Sequence, residues 1–119
     1  MTESRGKYNA RRTKIDGHTF HSKAEARRYS ALMLLERSGQ ISDLELQPSF
    51  VIQDAFRDRS NKIICAIRYL ADFQYVEKGA LVVEDVKGVE TAVFKIKAKM
   101  FKLRYPEYDF RVIPAEDVK

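Results

Sequence analysis

The chain has 119 residues, enough for one domain built on a single sheet with a few helices and too few for a second core. Its 45% hydrophobic content argues against a disordered chain, and no apolar run approaches the length of a bilayer span. Lysine and arginine outnumber aspartate and glutamate, 22 against 17, and the net charge of +5 points either to a polyanionic partner or to a solvated helix face and a loose tail.

Residues 1–12 read as a basic, flexible arm in which Arg5, Lys7, Arg11 and Arg12 face the single acid Glu3. The arm lacks the apolar stretch of a secretory signal. Residues 13–119 read as one domain. Lys14 to Phe20 form a small hairpin turning on Asp16-Gly17. A helix follows from Ser22, its N-cap, to about Arg37, ending near Gly39. Leu44 to Gln53 is a strand interrupted by Pro48, which suggests a sheet edge or a bulge. Ile63 to Val76 reads as one long strand, with Leu81 to Lys87 as its hairpin partner across Lys78-Gly79. A second helix runs from about Glu90 to Tyr105, is stopped by Pro106, and leads to a last strand from Tyr108 to Ile113. A helical crossover of this kind makes the two strands it joins parallel. On the second helix Phe94, Ala98, Phe101 and Tyr105 form a packing stripe, and Lys95, Lys99 and Lys102 an adjoining basic one. The single cysteine, Cys65, alternates with Ile63 and Ile67 and reads as core. Together these readings imply an α/β fold with a mixed central sheet between helices, in the order hairpin-α-β-β-β-α-β, in a soluble protein of a reducing cytoplasm.

The chemistry lies in Ala71-Asp72-Phe73 on one strand and Val83-Glu84-Asp85-Val86-Lys87-Gly88 on the next. Strand side chains alternate faces, so Asp85 and Lys87 share a side and Glu84 points to the other, as a surface or helix-facing charge. If the strands are neighbours, Asp72 joins Asp85 and Lys87, which gives two carboxylates for a hard divalent cation with an ammonium beside them. The bland alternative is an exposed Asp72 paired with Arg68 or Lys87, and a plain salt bridge between Lys87 and Asp85.

Asp72, Asp85 and Lys87 in this arrangement resemble the PD-(D/E)XK nucleases of the restriction-endonuclease-like fold, in particular a small phage and prophage branch related to junction-resolving and transposon-end nucleases. The likeness rests on the Tyr69-Leu70-Ala71-Asp72-Phe73 and Val82-Val83-Glu84-Asp85-Val86-Lys87-Gly88 segments, preceded by a helix carrying Glu25 and followed by a basic helix, and it spans most of the chain. Ala71 stands where the family name has proline, and Asp85 replaces the more frequent glutamate; neither change removes a charge that the chemistry needs. The resemblance implies a Mg²⁺-dependent DNA endonuclease, with Mn²⁺ able to substitute. Asp72, Asp85 and the main-chain carbonyl of Val86 would hold the cation, with Glu25 completing the shell. Lys87 would position the attacking water, and the cut would leave a 5′-phosphate. The implied substrates are recombination or replication intermediates such as four-way junctions, acted on by a phage-derived protein of a bacterial host cell.

Several residues keep two readings. Ser22-Lys23-Ala24-Glu25 fits a capping box, so Glu25 is either a metal ligand or only a helix cap. His18 and His21 are surface residues or phosphate contacts, too few for a zinc site. Gln47 belongs either to the active-site rim or to plain strand polarity. Arg11, Arg12, Lys14, Lys95, Lys99 and Lys102 are the candidate DNA-binding residues. A homodimer is expected, since so small a domain covers little DNA alone; no membrane and no nucleotide cofactor is expected. Two rivals remain: a noncatalytic DNA-binding module, and a protein-interaction subunit of a phage replication or recombination complex.

Overall fold

A computed structural model describes residues 13–119. The fold is mixed α/β. Strands β1 (Thr13–Ile15) and β2 (His18–Phe20) form the expected hairpin, and Asp16 and Gly17 both take positive φ, as a two-residue turn of this hand requires. Helix α1 (Lys23–Arg37) starts where Ser22 Oγ accepts the Glu25 amide at 3.1 Å. Strand β3 (Ile41–Leu46) leads to β4 (Ser49–Gln53), then to the short β5 (Phe56–Arg57) and β6 (Ile63–Ile64). Strands β7 (Ile67–Leu70), β8 (Phe73–Glu77) and β9 (Ala80–Lys87) precede α2 (Ala92–Arg104) and β10 (Asp109–Pro114).

The main sheet has the order β10-β9-β8-β3. The outer pair β10-β9 is parallel through the α2 crossover, and the other pairs are antiparallel. Alternation along β9 separates two cores. Val82 joins Phe73, Tyr75, Tyr29 and Leu32 under α1, while Val83 joins Phe50, Tyr69, Phe94, Ala98 and Phe101 under α2. The sheet therefore lies between the helices. No helix among the described residues is long and apolar enough to cross a membrane.

The segment from Ile63 to Val76 departs from the sequence reading. It is not one strand but three, β6, β7 and β8, interrupted before Ile67 and again at Ala71-Asp72. β7 pairs with β4 and β8 with β3 and β9, so the chain changes sheets at Asp72. Gln47 and Pro48 make the matching change on the facing strand: the Gln47 amide donates to the Asp72 carbonyl at 2.9 Å and the Ala71 amide to the Pro48 carbonyl at 3.1 Å. Pro48 lacks the amide a ladder would use, which is why the switch falls there. Cys65 is a second correction: it is exposed, and Ile63 is 59% exposed, because their segment extends away from both cores. Period-two apolarity marks a strand, not its burial.

Candidate active site

The hairpin β8–β9 turns on Lys78-Gly79, and its register pairs Phe73 with Glu84. One position further in that register sets Asp72 opposite Asp85. Asp72 lies in the break between β7 and β8, and its half-buried carboxylate accepts the Val86 amide at 2.7 Å. Asp85 is 2% exposed, and its Oδ2 accepts the hydroxyl hydrogen of Tyr69. Lys87, on the same face of β9, holds its Nζ 3.7 Å from Asp85 Oδ1 and 4.5 Å from the centre of the Phe94 ring. The ammonium thus lies over the Phe94 ring face and beside Asp85 at once.

Glu25 stands at the capped start of α1 and close to Asp72. Its amide takes the Ser22 cap, and its carboxylate is buried. The same carboxylate reaches Asp72 and feels the charges of Asp85 and Lys87. The first turn of α1 thus delivers a third acid to the cluster.

Three carboxyl groups facing one ammonium are short of positive charge. Burial raises the pKa of Glu25 and of Asp72, and burial together with the neighbouring Asp72 pushes Asp85 up to about 7. Asp72 lies close enough to Asp85 and to Glu25 for the charge on each to bear on the others. Among the described residues, no three acidic, histidine or cysteine side chains are spaced as ligands of one ion as they stand. The all-oxygen donor set and its surplus negative charge nevertheless fit a hard divalent cation, which would compete with protons for the carboxyl groups once they turn toward it.

A family model described as a protein of unknown function, DUF1064, matches residues 5–116. The chain belongs to the DUF1064 family. No curated protein matches it. The span matched contains Glu25, Asp72, Asp85 and Lys87, so the whole cluster lies within the DUF1064 unit.

On the other face of β9 this DUF1064 chain buries Glu84 completely, so Glu84 is helix-facing and not a surface charge. Arg28 holds it by two bonds, Nε to Oε1 at 2.8 Å and Nη2 to Oε2 at 2.6 Å, and Tyr75 donates its hydroxyl to the same carboxylate. Removing one partner of such a pair costs about 3–5 kcal/mol. The pair pins α1 to β9, and Arg28 sits one helical turn after Glu25, so it also fixes where Glu25 meets the cluster. Arg28 does not stand out in the sequence, and Tyr69 does so only as the first residue of the Tyr69–Phe73 segment, without a role of its own. Glu84 between Val83 and Asp85 was the available signal: a buried acid demands a partner, but nothing local says which.

Among the remaining candidates, Lys14, Lys95, Lys99 and Lys102 are exposed; Lys102 lies over the Phe110 ring at 5.6 Å. Arg11 and Arg12 lie outside the described residues. Gln47 is exposed and adjoins Asp72 through its backbone amide. His18 and His21 are exposed, away from any cysteine ligand, and the His18 ring packs edge-on against Tyr29 at 5.7 Å.

Proposed function

We propose that this protein is a Mg²⁺-dependent DNA endonuclease with a restriction-endonuclease-like core, and that Mn²⁺ substitutes for Mg²⁺. The observation that carries the reading is that the β8–β9 register sets Asp72 opposite Asp85, with Lys87 3.7 Å from Asp85 and the buried Glu25 close to Asp72, a group whose negative surplus a divalent cation would neutralise. The resemblance of the Asp72, Asp85 and Lys87 pattern to PD-(D/E)XK nucleases supports the same reading, and extends it to phage-type recombination or replication intermediates such as four-way junctions.

Each side chain has a task in this scheme. Asp72 and Asp85 hold the cation, together with the Val86 carbonyl, and Glu25 completes the shell. Held there, Mg²⁺ would supply Lewis-acid polarisation of the scissile phosphate and offset charge that builds on it. The Val86 amide and the Tyr69 hydroxyl each hold one oxygen of the two aspartates, which limits how far the carboxylates must turn to meet the cation. Lys87 donates to the attacking water or to a phosphate oxygen, a role for a compact ammonium that a planar guanidinium fills poorly. Lys14, Lys95, Lys99 and Lys102 hold the DNA backbone, with Arg11 and Arg12 of the arm, by releasing counterions.

Cleavage of linear, single-stranded, flapped and four-way-junction DNA, with Mg²⁺, Mn²⁺ or EDTA, tests the reading with wild type and Asp72→Ala. Metal-dependent cutting, lost in the variant, is the expected result. DNA that is bound by both proteins and cut by neither in any metal would replace the endonuclease with a noncatalytic DNA-binding module.

We also propose that the protein acts as a homodimer, which would give two sites for two strands. Val93, Ile96 and Leu103 are 62%, 59% and 85% exposed on α2, with half-buried Met100 between them, at spacings of three, four and three. This is the repeat of a helix that meets another helix. Lys97 and Arg104 on one flank are drawn back onto the protein, to the Arg68 carbonyl and to Asp54. Ile96→Glu is expected to convert a dimer to a monomer in light scattering; an unchanged mass would exclude this contact.

A further inference from the structure

The cluster and α2 leave one projection without a task. The ribbon β4–β7 is rooted beside Asp72, at Pro48 and Ala71, and continues into the hairpin β5–β6. No residue from 54 to 66 is buried. The hairpin nevertheless has a defined turn: Asp58 Oδ1 accepts the amides of Ser60 and Lys62 at 2.8 and 2.9 Å, Arg57 donates to the Asn61 carbonyl at 3.0 Å, and Asn61 takes a positive φ. An ordered arm that contributes nothing to a core is a surface built for contact.

Its chemistry selects the partner. Arg57, Arg59, Lys62 and, at the base, Arg68 are all exposed. The nearby acids are engaged, Asp58 in the turn and Asp54 with Arg104 at 3.0 Å. Phe56 and Ile63, 49% and 59% exposed, lie on opposite faces, because Phe56 pairs with Ile64 and Arg57 with Ile63. A basic two-stranded ribbon with apolar side chains on both faces suits a nucleic-acid groove, where the cations take phosphates and the apolar groups meet sugars and base edges. From Asp72 back to the turn at Asn61 the extended chain covers at most about 36 Å, at about 3.3 Å per residue. That is about eleven base pairs along a duplex at about 3.4 Å each.

We propose that the β5–β6 hairpin is a second DNA contact, gripping the backbone of the duplex about one helical turn from the scissile phosphate. The inference rests on the endonuclease reading, and one experiment separates the two. Binding of a 30-base-pair duplex and of a four-way junction is measured in EDTA over a salt series, for wild type and for Arg57→Ala/Arg59→Ala/Lys62→Ala, with circular dichroism to confirm the fold. The variant is expected to bind at least tenfold more weakly at 0.15 M salt, with a log–log salt slope reduced by about 2 to 3. Because Cys65 is the only cysteine of the chain and is exposed at the base of the hairpin, a photo-crosslinker attached there gives an independent readout. Crosslinks should fall within a turn of the cleavage position. Equal affinity and slope in the variant, with the wild type still binding and cutting DNA, would overturn the hairpin contact alone. A wild type that neither binds nor cuts any DNA would overturn the nuclease reading and this inference together.

Discussion

Asp85→Asn is expected to abolish Mg²⁺-dependent cleavage and, at pH 8, to make the metal-free protein more stable than the wild type. Asparagine keeps an oxygen to accept the Tyr69 hydroxyl and nearly the same volume, so the change removes a charge and little else. For the reaction, losing one metal-holding carboxylate is expected to cost about 10³-fold or more in rate, equivalent to about 4 kcal/mol. For stability the sign is the reverse. Burial and Asp72 lift the folded-state pKa of Asp85 from 3.8 to about 7, so the folded protein holds this proton where the unfolded chain has already lost it. The stabilisation from the protonated form is complete below about pH 4, and it is lost as pH rises to about 7. A shift of about three units corresponds to at most about 4 kcal/mol, and sharing of the charge with Asp72 and Lys87 brings the expected gain for Asp85→Asn to about 1–3 kcal/mol at pH 8. Thermal denaturation in EDTA at pH 5 and pH 8 checks this: the wild type should lose stability across the interval and the variant much less. A variant less stable than wild type at pH 8 would show that the cluster is held together by its charges rather than strained by them.

Mn²⁺ binding is expected to strengthen with pH, up to about tenfold per unit between pH 5.5 and 7, and to level off above the Asp85 titration. Cation and proton compete for the same carboxylates, and Glu25 and Asp72 are raised in the same direction as Asp85, so none of the three opposes the trend. Calorimetry in two buffers of different ionisation enthalpy should register release of about one proton per ion near pH 6 and little release at pH 8. The Asp72→Ala protein should bind no Mn²⁺ at either pH. Affinity independent of pH, or binding retained in that variant, would place the ion elsewhere.

Such a cluster is unfavourable for folding and suited to its proposed task. Like charges gathered under partial burial weaken the metal-free state, and a ligand that binds only the folded form restores what they remove. The apolar packing on both faces of β9 makes this tolerable, because Val82 and Val83 anchor the strand to separate cores immediately before the charged residues begin.

Local order in this protein was legible in the sequence. The Asp16-Gly17 and Lys78-Gly79 turns, the Ser22 cap, the two helical periods and the parallel return through α2 all depend on residues close in the chain, whose spacing fixes backbone geometry directly. The hairpin across Lys78-Gly79 also brings Asp72 opposite Asp85, which is why the heart of the candidate site could be read without coordinates. What only the tertiary structure decided is non-local. The interruption at Ala71-Asp72 depends on β7 finding β4 while β8 finds β3 and β9. The exposure of Cys65 depends on the hairpin having no core to pack on. The Arg28 clasp on Glu84, the Tyr69 bond to Asp85 and the arrival of Glu25 from α1 join residues tens of positions apart. A sequence states that a buried acid needs a partner; which donor stands within about 3 Å of it is set by how helices and strands pack.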